Sequence, residues 1–421
     1  MNNNELRQLV EASVITEETA DRIRNYYHDK KGDSKLTLFT VFGILASLLV
    51  GLGIILIIAH NWDQLTKGLK LVLAFIPLVA AQGLCLYVLL RKNPPGTAWR
   101  EGSATFLFFS LGACIALISQ IYHISGDIEK FLFVWMFLCL PVIYLMQSSV
   151  TSLLYLGGIT WYALVSDDWS PAHLPDLWYW LMFSLAMPHY YTLVSRYPKS
   201  NFTGYHNWVI PISLSLGLAT VSQTRPELMY IAYMSLFAVF YLSGHLASGT
   251  FLRRRNNPYL LLGSLGTITL LLYLSFEEFW TKLLRKDFHT DALLRSPELV
   301  AVLILTGAAI LLAYKSLKLR QPKPLDLVFA VFILIFIAGT QSTISVVFVN
   351  VIIFICGMMI IREGARSDNL GVLNYGLLII SALTACRFFD TDLSFVLRGL
   401  IFITVGIAIF ILNTWMLKRR T

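Results

Sequence analysis

Polar and charged side chains that could bind a solute or relay an ion collect at the ends of long apolar segments in this sequence. The first apolar run, GLGIILIIA, ends abruptly in His60, Asn61, Trp62 and Asp63. Charged groups close to lipid are costly, so such positions are the first places to look for a functional site. The candidate substrate-binding or ion-relay residues are Asn61, Asp63, Gln120, His123, Asp127, Arg387, Asp390, Asp392 and Arg398.

Arg398 is the most demanding of these residues because it lies about one turn inside the last apolar segment. An arginine at that depth needs an acidic partner or a path to the membrane surface. Three interpretations stay open. Arg398 pairs with an acid such as Asp390 and fixes the last helix, or it lines an outward cavity with Arg387 and grips an anionic group, or it reaches to the interface alone.

The other polar ends have a conservative and a functional interpretation. Trp62 is expected to be an interfacial anchor, with Asn61 or Asp63 capping the turn before the next helix. An imidazole side chain ordinarily changes its charge near neutral pH, so His123 is a candidate proton relay, although a histidine at a membrane surface is more often simply solvated. His60 and His123 could also ligate a metal, but their spacing does not require it, so no metal site is predicted.

Standard catalytic and nucleotide-binding motifs are absent from the sequence. It contains no GxxxxGK[ST], HExxH, GxSxG or CxxC pattern, so ATP-driven transport, zincin chemistry and serine hydrolysis have no support. No catalytic residue and no cofactor are predicted. The adjacent acids Asp167 and Asp168 leave one alternative open, a membrane-embedded enzyme that acts on a lipid-linked or envelope substrate through outer-face acids.

The composition determines the class of protein that must position these residues. Of the 421 residues, 56% are hydrophobic and 14% are charged, with a mean hydropathy of +0.66. A soluble domain has roughly a quarter charged residues. The sequence therefore predicts an all-α, polytopic integral membrane protein with the lipid bilayer as its main partner. The net charge of +8 suits helix ends at lipid headgroups, and the absence of mixed basic and aromatic runs argues against nucleic acid.

A helix needs about 20 residues to cross the hydrocarbon core. By that measure the apolar pattern predicts about fourteen transmembrane helices, with twelve as the lower limit. Basic residues such as Arg253 and Lys318 recur on alternate connections, which places both termini in the cytoplasm by the positive-inside rule. The predicted spans are 37–59, 69–90, 103–122, 130–146, 149–165, 175–194, 208–222, 227–248, 258–276, 298–314, 324–340, 342–361, 370–386 and 395–416.

Residues 1–35 are predicted to form a small cytoplasmic helical hairpin, and residues 36–421 the transmembrane bundle. Apolar residues recur at helical spacing in ELRQLVEASVITEETADRIRNYY, with a break near residues 13–16. Thr16 is suited to cap the second helix. The hairpin is too small for a core of its own, so it is expected to pack on a second copy, a protein partner or the bilayer surface.

Four blocks of the sequence resemble a known family. They are LxxLxxxxxITxExA, GLGIILIIAHNWDQLTKGLKL, SQIYHISGD and RFFDTDLSFVLRGLIFITVGIAIFILNTWMLKRR. Together they resemble the predicted bacterial membrane proteins of domain-of-unknown-function family number 2157, most specifically over residues 5–90. The resemblance implies a multi-pass protein of the bacterial inner membrane with a small cytoplasmic N-terminal segment, and it implies no activity.

The sequence favours a secondary transporter or carrier of a small or lipid-linked solute, with a polar site near the non-cytoplasmic face. This expectation depends on the many spans, the short connections and the polar groups gathered on one side. Two alternatives remain, the membrane-embedded enzyme and a scaffold or sensor that assembles through residues 1–35.

Overall fold

A computed structural model describes residues 10, 12, 14–22, 64–91, 96–166, 177–247, 257–284, 296–319 and 323–388, with eight single positions between 396 and 410. Every regular element in these ranges is helical, which confirms the all-α class for this part of the chain. Two compact units divide the chain, residues 1–76 and residues 77–421.

In the first unit, residues 17–22 are helical. The Thr16 hydroxyl accepts a hydrogen bond from the backbone nitrogen of Thr19 at 3.4 Å, as the predicted helix cap requires. The predicted span 37–59 lies outside the described residues.

The remaining helices follow closely on one another. They are α1 (Lys67–Leu90), α2 (Thr97–Ile121), α3 (Ile128–Met146), α4 (Ser149–Val165), α5 (Leu177–Arg196), α6 (Asn201–Gly217) with a 3-10 turn (Leu218–Val221), α7 (Leu228–Ala247), α8 (Pro258–Tyr273), α9 (Glu277–Leu284), α10 (Pro297–Leu319), α11 (Val328–Gly339), α12 (Ser345–Arg366) and α13 (Leu370–Phe388).

Seven of the described helices are long and apolar enough to cross a membrane, and an eighth span exists if α8 and α9 count as one broken helix. The seven are α1, α2, α3, α7, α10, α12 and α13. Helices α4 and α11 are apolar but shorter. Large apolar side chains such as Phe137, Ile304 and Leu334 are exposed on these helices, as lipid contact requires.

One connection differs from the sequence interpretation. The predicted spans 258–276 and 298–314 leave residues 277–297 as a long connection, but Glu277–Leu284 is a helix that follows α8 after a bend of 71°. Its apolar residues Trp280 and Leu283 are buried, while Glu278 and Lys282 are exposed. The prediction was wrong because eight residues are too few to give a clear apolar pattern, and the bend hides their continuity with α8.

Buried apolar side chains divide helices α2–α13 into two packed groups. Helices α2–α6 share one cluster, which includes Phe108, Leu132 and Tyr155. Helices α7–α13 share a larger one, which includes Trp280 and Phe332. A third cluster around the 3-10 turn and α7 lies next to both, so the 218–228 region is where the two groups of helices meet.

Gly263 allows a close backbone approach between α7 and α8. A Cβ atom at this position would lie 2.5 Å from the Tyr241 nitrogen and 2.6 Å from the Phe237 carbonyl oxygen, both main-chain atoms of α7. Main-chain atoms of a helix cannot move aside cheaply. We therefore expect Gly263→Ala to lower the free energy of unfolding by about 1–3 kcal/mol, measured by denaturant titration in detergent.

Gly157 on α4 provides the matched control for that variant. It is exposed, and a Cβ atom there would have no neighbour within 4 Å. Because alanine is the better helix former, Gly157→Ala is expected to be neutral or stabilising by up to about 1 kcal/mol. Equal stability of the Gly263→Ala protein and the unmodified chain would show that α7 and α8 are not packed this closely.

Candidate functional site

A cavity of about 460 Å³ lies where the 3-10 turn, the connection 222–227, the start of α7, the end of α8 and helix α9 meet. This size is within the range of small-molecule sites. Its walls are mostly apolar and aromatic, with one acidic and one basic side chain. The lining residues are Ala219, Ser222, Pro226, Glu227, Met229, Tyr230, Tyr233, Leu270, Phe279, Lys282 and Leu283.

The connection that forms one wall is fixed by a buried carboxylate from α10. Glu298 is fully buried, and its Oε1 accepts hydrogen bonds from the backbone nitrogens of Gln223 at 2.6 Å, Thr224 at 2.6 Å and Arg225 at 2.8 Å. Its Oε2 accepts from the Thr224 hydroxyl at 3.0 Å. Three successive N–H groups directed at one anion form a nest, which stabilises this backbone shape.

Helix α9 forms the opposite wall and is fixed by Trp280. This indole is fully buried, and its Nε1 donates to the Leu274 carbonyl oxygen at 2.8 Å. This hydrogen bond satisfies a carbonyl group that has no intrahelical partner at the end of α8. Its ring packs against Gly339 of α11, where no side chain intervenes, and lies 6.4 Å from the Phe336 ring.

The same corner is tied to α12 and α13 through Ser275. The Ser275 carbonyl oxygen accepts from Arg387 Nη2 at 2.8 Å and from Asn350 Nδ2 at 3.1 Å. Arg387 also donates to the Ser275 hydroxyl at 3.1 Å and lies over the Phe276 ring at 5.0 Å. Helices α12 and α13 therefore fix the bend between α8 and α9.

Charge in the cavity comes from two side chains of different character. Glu227 is buried, with 6% of its surface exposed. Lys282 is exposed and forms an ion pair at 2.7 Å with Glu278, one turn before it on α9. Glu227 is therefore the buried acidic side chain of the wall, and Lys282 is an exposed basic side chain that is paired with Glu278.

Three of the predicted site residues are near one another in the sequence, where α2 ends and the chain turns into α3. Gln120, His123 and Asp127 are all exposed there, and His123 adopts a left-handed backbone conformation with φ of 51°. Asp127 begins α3 and lies 3.4 Å from Lys130 in an exposed pair. An exposed pair of this kind contributes little to stability.

Arg387, the fourth described candidate, contacts Ser275 and Phe276, far along the chain from that turn. It therefore belongs to the corner beside the cavity. The other candidates lie outside the described residues: Asn61, Trp62, Asp63, Asp390, Asp392 and Arg398. The acids Asp167 and Asp168 lie outside them as well.

A second buried carboxylate joins two helices of the α2–α6 group. Glu101 of α2 accepts from the backbone nitrogens of Ser149 and Val150, each at 3.0 Å, and from the Ser148 hydroxyl. These groups form the N-terminus of α4, where a negative charge is favourable. Glu101 therefore joins α2 to α4.

A serine, a histidine and an aspartate also meet in the α7–α13 group, but not as a hydrolase triad. The Ser316 hydroxyl lies 3.2 Å and the Asp326 carboxylate 3.5 Å from the same ring nitrogen, Nδ1 of His245. A proton relay needs these two partners on opposite ring nitrogens. Because the three side chains are buried and both partners share one ring nitrogen, the group is a structural link between α7, α10 and the start of α11.

Sequence reasoning missed the residues that form the cavity. Glu227, Tyr230, Phe279 and Lys282 come together only because α7, α8 and α9 pack, and aromatic residues at span ends resemble ordinary interfacial anchors. The polar run QTRPE at 223–227, between two apolar segments, was the available signal. Among the described residues, no group of three His, Cys, Asp or Glu side chains is placed to hold a metal ion.

Comparison with known proteins gives a family match for the first part of the chain. No curated protein and no solved structure matches the chain. The family model described as predicted membrane protein (DUF2157) matches residues 7–152, about a third of the chain, and this match confirms the family resemblance over those residues.

Proposed function

We propose that this protein is a secondary transporter or carrier of a small or lipid-linked solute in the inner membrane of a bacterium, and that the cavity beside α9 is its solute site. The observation that carries the proposal is a cavity of about 460 Å³ lined by both arms of a broken helix. Pocket size, a buried acid and aromatic walls suit a small molecule.

The broken helix supports a carrier over a purely structural role. Helices α8 and α9 meet at 71°, and both contribute wall residues, Leu270 from α8 and Phe279 from α9. Irregular backbone is tolerated at membrane depth where it is buried in protein or lines a cavity. Interrupted helices at the binding site are a common feature of secondary transporters.

The proposal includes the predicted orientation, with both termini cytoplasmic. Helix ends that are in contact in the structure are also predicted, from the pattern of basic residues, to lie on the same side of the membrane. Glu298 meets Gln223 at predicted outer ends, whereas Glu101 meets Ser149 at predicted inner ends. This agreement supports the alternation of spans, and we therefore propose that the cavity lies near the non-cytoplasmic face.

Alternating access is the property that tests the proposal without knowledge of the solute. In a variant whose five cysteines are replaced by alanine, Ser222→Cys introduces a thiol in the cavity wall. A carrier must open its site to each side in turn. We expect a membrane-impermeant maleimide to label Ser222→Cys from either side of oriented vesicles, more slowly than a thiol that is always exposed on that side.

Two exposed positions provide the controls. Ser125→Cys, in the turn between α2 and α3, is expected to react only from the non-cytoplasmic side. Lys199→Cys, between α5 and α6, is expected to react only from the cytoplasmic side. Labelling of Ser222→Cys from one side alone, with both controls as expected, would argue for a static protein and against a carrier.

The enzyme and scaffold alternatives stay predictions. The acids of the enzyme alternative, Asp167 and Asp168, lie outside the described residues, as does most of the segment 1–35 through which a scaffold would assemble. Self-association through residues 1–35 remains part of the proposal as an expected partner interaction.

A further inference from the structure

We infer that the cavity takes a planar, apolar compound of two or three fused aromatic rings. This inference rests on the proposed function, since it assigns the solute class of the same cavity, but binding is measurable apart from transport. The observation that carries it is the juxtaposition of three aromatic side chains around a space of about 460 Å³.

The volume of the cavity sets the size of the ligand. An engineered protein cavity of about 150 Å³ with apolar walls binds benzene. The cavity beside α9, at about 460 Å³, is about three times larger than that benzene site. It therefore has room for a ring system of two or three benzene units, such as naphthalene or anthracene.

Two of the three aromatic side chains come from the start of α7. Tyr230 and Tyr233 are three residues apart, so both project to the same side of the helix, and both line the cavity. The third is Phe279 of α9, whose ring centroid lies 4.5 Å from that of Tyr230, with the ring planes tilted by 58°. A planar aromatic ligand can stack on one ring of this corner and meet the other edge to face.

The position of Phe279 is fixed by other aromatic side chains before a ligand binds. Its ring centroid lies 5.2 Å from that of Trp280 and 6.4 Å from that of Phe336. A wall that is already ordered loses little conformational entropy on binding, and a rigid ring system loses none of the rotamer freedom that a flexible chain loses. These conditions favour fused rings over an acyl chain of the surrounding lipid.

The polar side chains of the wall are engaged within the protein. The Tyr233 hydroxyl donates to the Ser215 carbonyl oxygen at 3.0 Å, and the Lys282 ammonium group lies 2.7 Å from the Glu278 carboxylate. Glu227 likewise interacts within the protein. The surface that the wall offers to a ligand is therefore mainly that of aromatic rings and apolar side chains.

Protection of a thiol in the cavity wall tests the inference. The full chain, with its five cysteines replaced by alanine and with Ser222→Cys, is placed in phosphatidylcholine nanodiscs, which leave both faces of the bilayer open to an impermeant maleimide. Anthracene is added at a series of ratios to lipid. We expect anthracene at saturation to slow the labelling of Ser222→Cys by about tenfold or more.

Three hydrocarbons with the same number of carbon atoms separate ring contacts from apolar burial. Perhydroanthracene has the skeleton of anthracene without the aromatic rings, and it is expected to need an about three- to tenfold higher ratio to lipid for the same protection. Tetradecane resembles a lipid acyl chain and is expected to leave the labelling rate unchanged.

Matched variants assign the effect to the aromatic corner. Phe279→Leu keeps the wall apolar but removes one ring, so it is expected to weaken protection by anthracene about two- to tenfold and to leave protection by perhydroanthracene unchanged. Phe137→Leu removes an exposed ring from α3, outside the cavity, and is expected to change neither. The hydrocarbons are not expected to slow the labelling of Ser125→Cys, which lies in an exposed turn.

Thermal unfolding of the unmodified chain in the same nanodiscs gives a second readout, which does not require a reactive thiol. Anthracene is expected to raise the melting temperature, and to raise that of Phe279→Leu less. The melting temperatures of the variants without hydrocarbon must match that of the unmodified chain, which separates loss of binding from loss of fold.

Two outcomes would overturn the assignment of an aromatic ring compound. One is equal protection by all three hydrocarbons, which would make the cavity a site for any apolar chain, lipid included. The other is the absence of both protection and a rise in melting temperature with anthracene. Neither outcome affects the labelling of Ser222→Cys from the two sides of vesicles without hydrocarbon, so the solute class fails separately from the carrier proposal.

Discussion

Replacing Glu298 with alanine is expected to lower the free energy of unfolding by about 2–4 kcal/mol. The carboxylate is fully buried and accepts hydrogen bonds from three backbone nitrogens and one hydroxyl of the connection before α7. Alanine leaves these donors without their acceptor, and a buried donor that loses its partner costs about 1–3 kcal/mol. Denaturant titration in detergent measures the loss.

The loss is expected to extend to the cavity because Ser222, Pro226 and Glu227 belong to the same connection. In the Glu298→Ala background, the maleimide labelling of Ser222→Cys should change even at temperatures where the protein is folded, because Ser222 directly precedes the residues that Glu298 holds. Glu298→Gln retains one acceptor oxygen and is expected to fall between alanine and the unmodified chain.

Glu277→Ala is the control for Glu298→Ala, since it removes an exposed glutamate from α9. A surface substitution of this kind is expected to change stability by no more than about 0.5 kcal/mol. If Glu298→Ala were as stable as this control, the connection would have to be held by other contacts, and the assigned role of Glu298 would be wrong.

Helix positions were predictable from the sequence because membrane thickness imposes a length on apolar runs. The span predicted at 149–165 coincides with α4, and the one at 342–361 overlaps α12, Ser345–Arg366. The α8–α9 pair was predicted only in its first arm. A bend depends on tertiary contacts such as Arg387 to Ser275, and these are not visible in local hydropathy.

The candidate site was less predictable for a related physical reason. Charge near lipid is a strong signal, and it drew attention to Arg387, whose role as a site residue stays a prediction and whose guanidinium contacts Ser275 beside the cavity. Glu227 and Glu298 stand at the ends of apolar segments, where an acid is ordinary. Their importance follows from burial and from what each faces, and both depend on how α7, α9 and α10 pack.

Substitution of Trp280 is expected to cause the second large loss of stability. The fully buried indole fills the space between α9 and α11 and donates to the Leu274 carbonyl oxygen. We expect Trp280→Ala to lower the free energy of unfolding by about 3–5 kcal/mol, because it leaves a large cavity and an unpaired carbonyl. Trp280→Phe keeps most of the apolar contact and is expected to lose less than half as much.

A substitution at Gly339 tests whether the stability lost in Trp280→Ala comes from the contact between α9 and α11. A Cβ atom at this position would overlap the six-membered part of the Trp280 indole, so Gly339→Ala alone is expected to cost about 1–3 kcal/mol by overpacking. In the Trp280→Ala background the same change meets empty space and should cost little or even restore stability.

The double-mutant cycle therefore predicts a coupling energy of about 1–3 kcal/mol between the two positions, measured from four denaturation curves. Additive losses would mean that Trp280 does not occupy the notch at Gly339, and the corner that supports the cavity would then have to be held by Arg387 and Asn350 alone. A coupled pair instead ties helix α9 to α11. A change in that contact would then move the cavity wall, because Phe279 and Leu283 flank Trp280 on the same short helix.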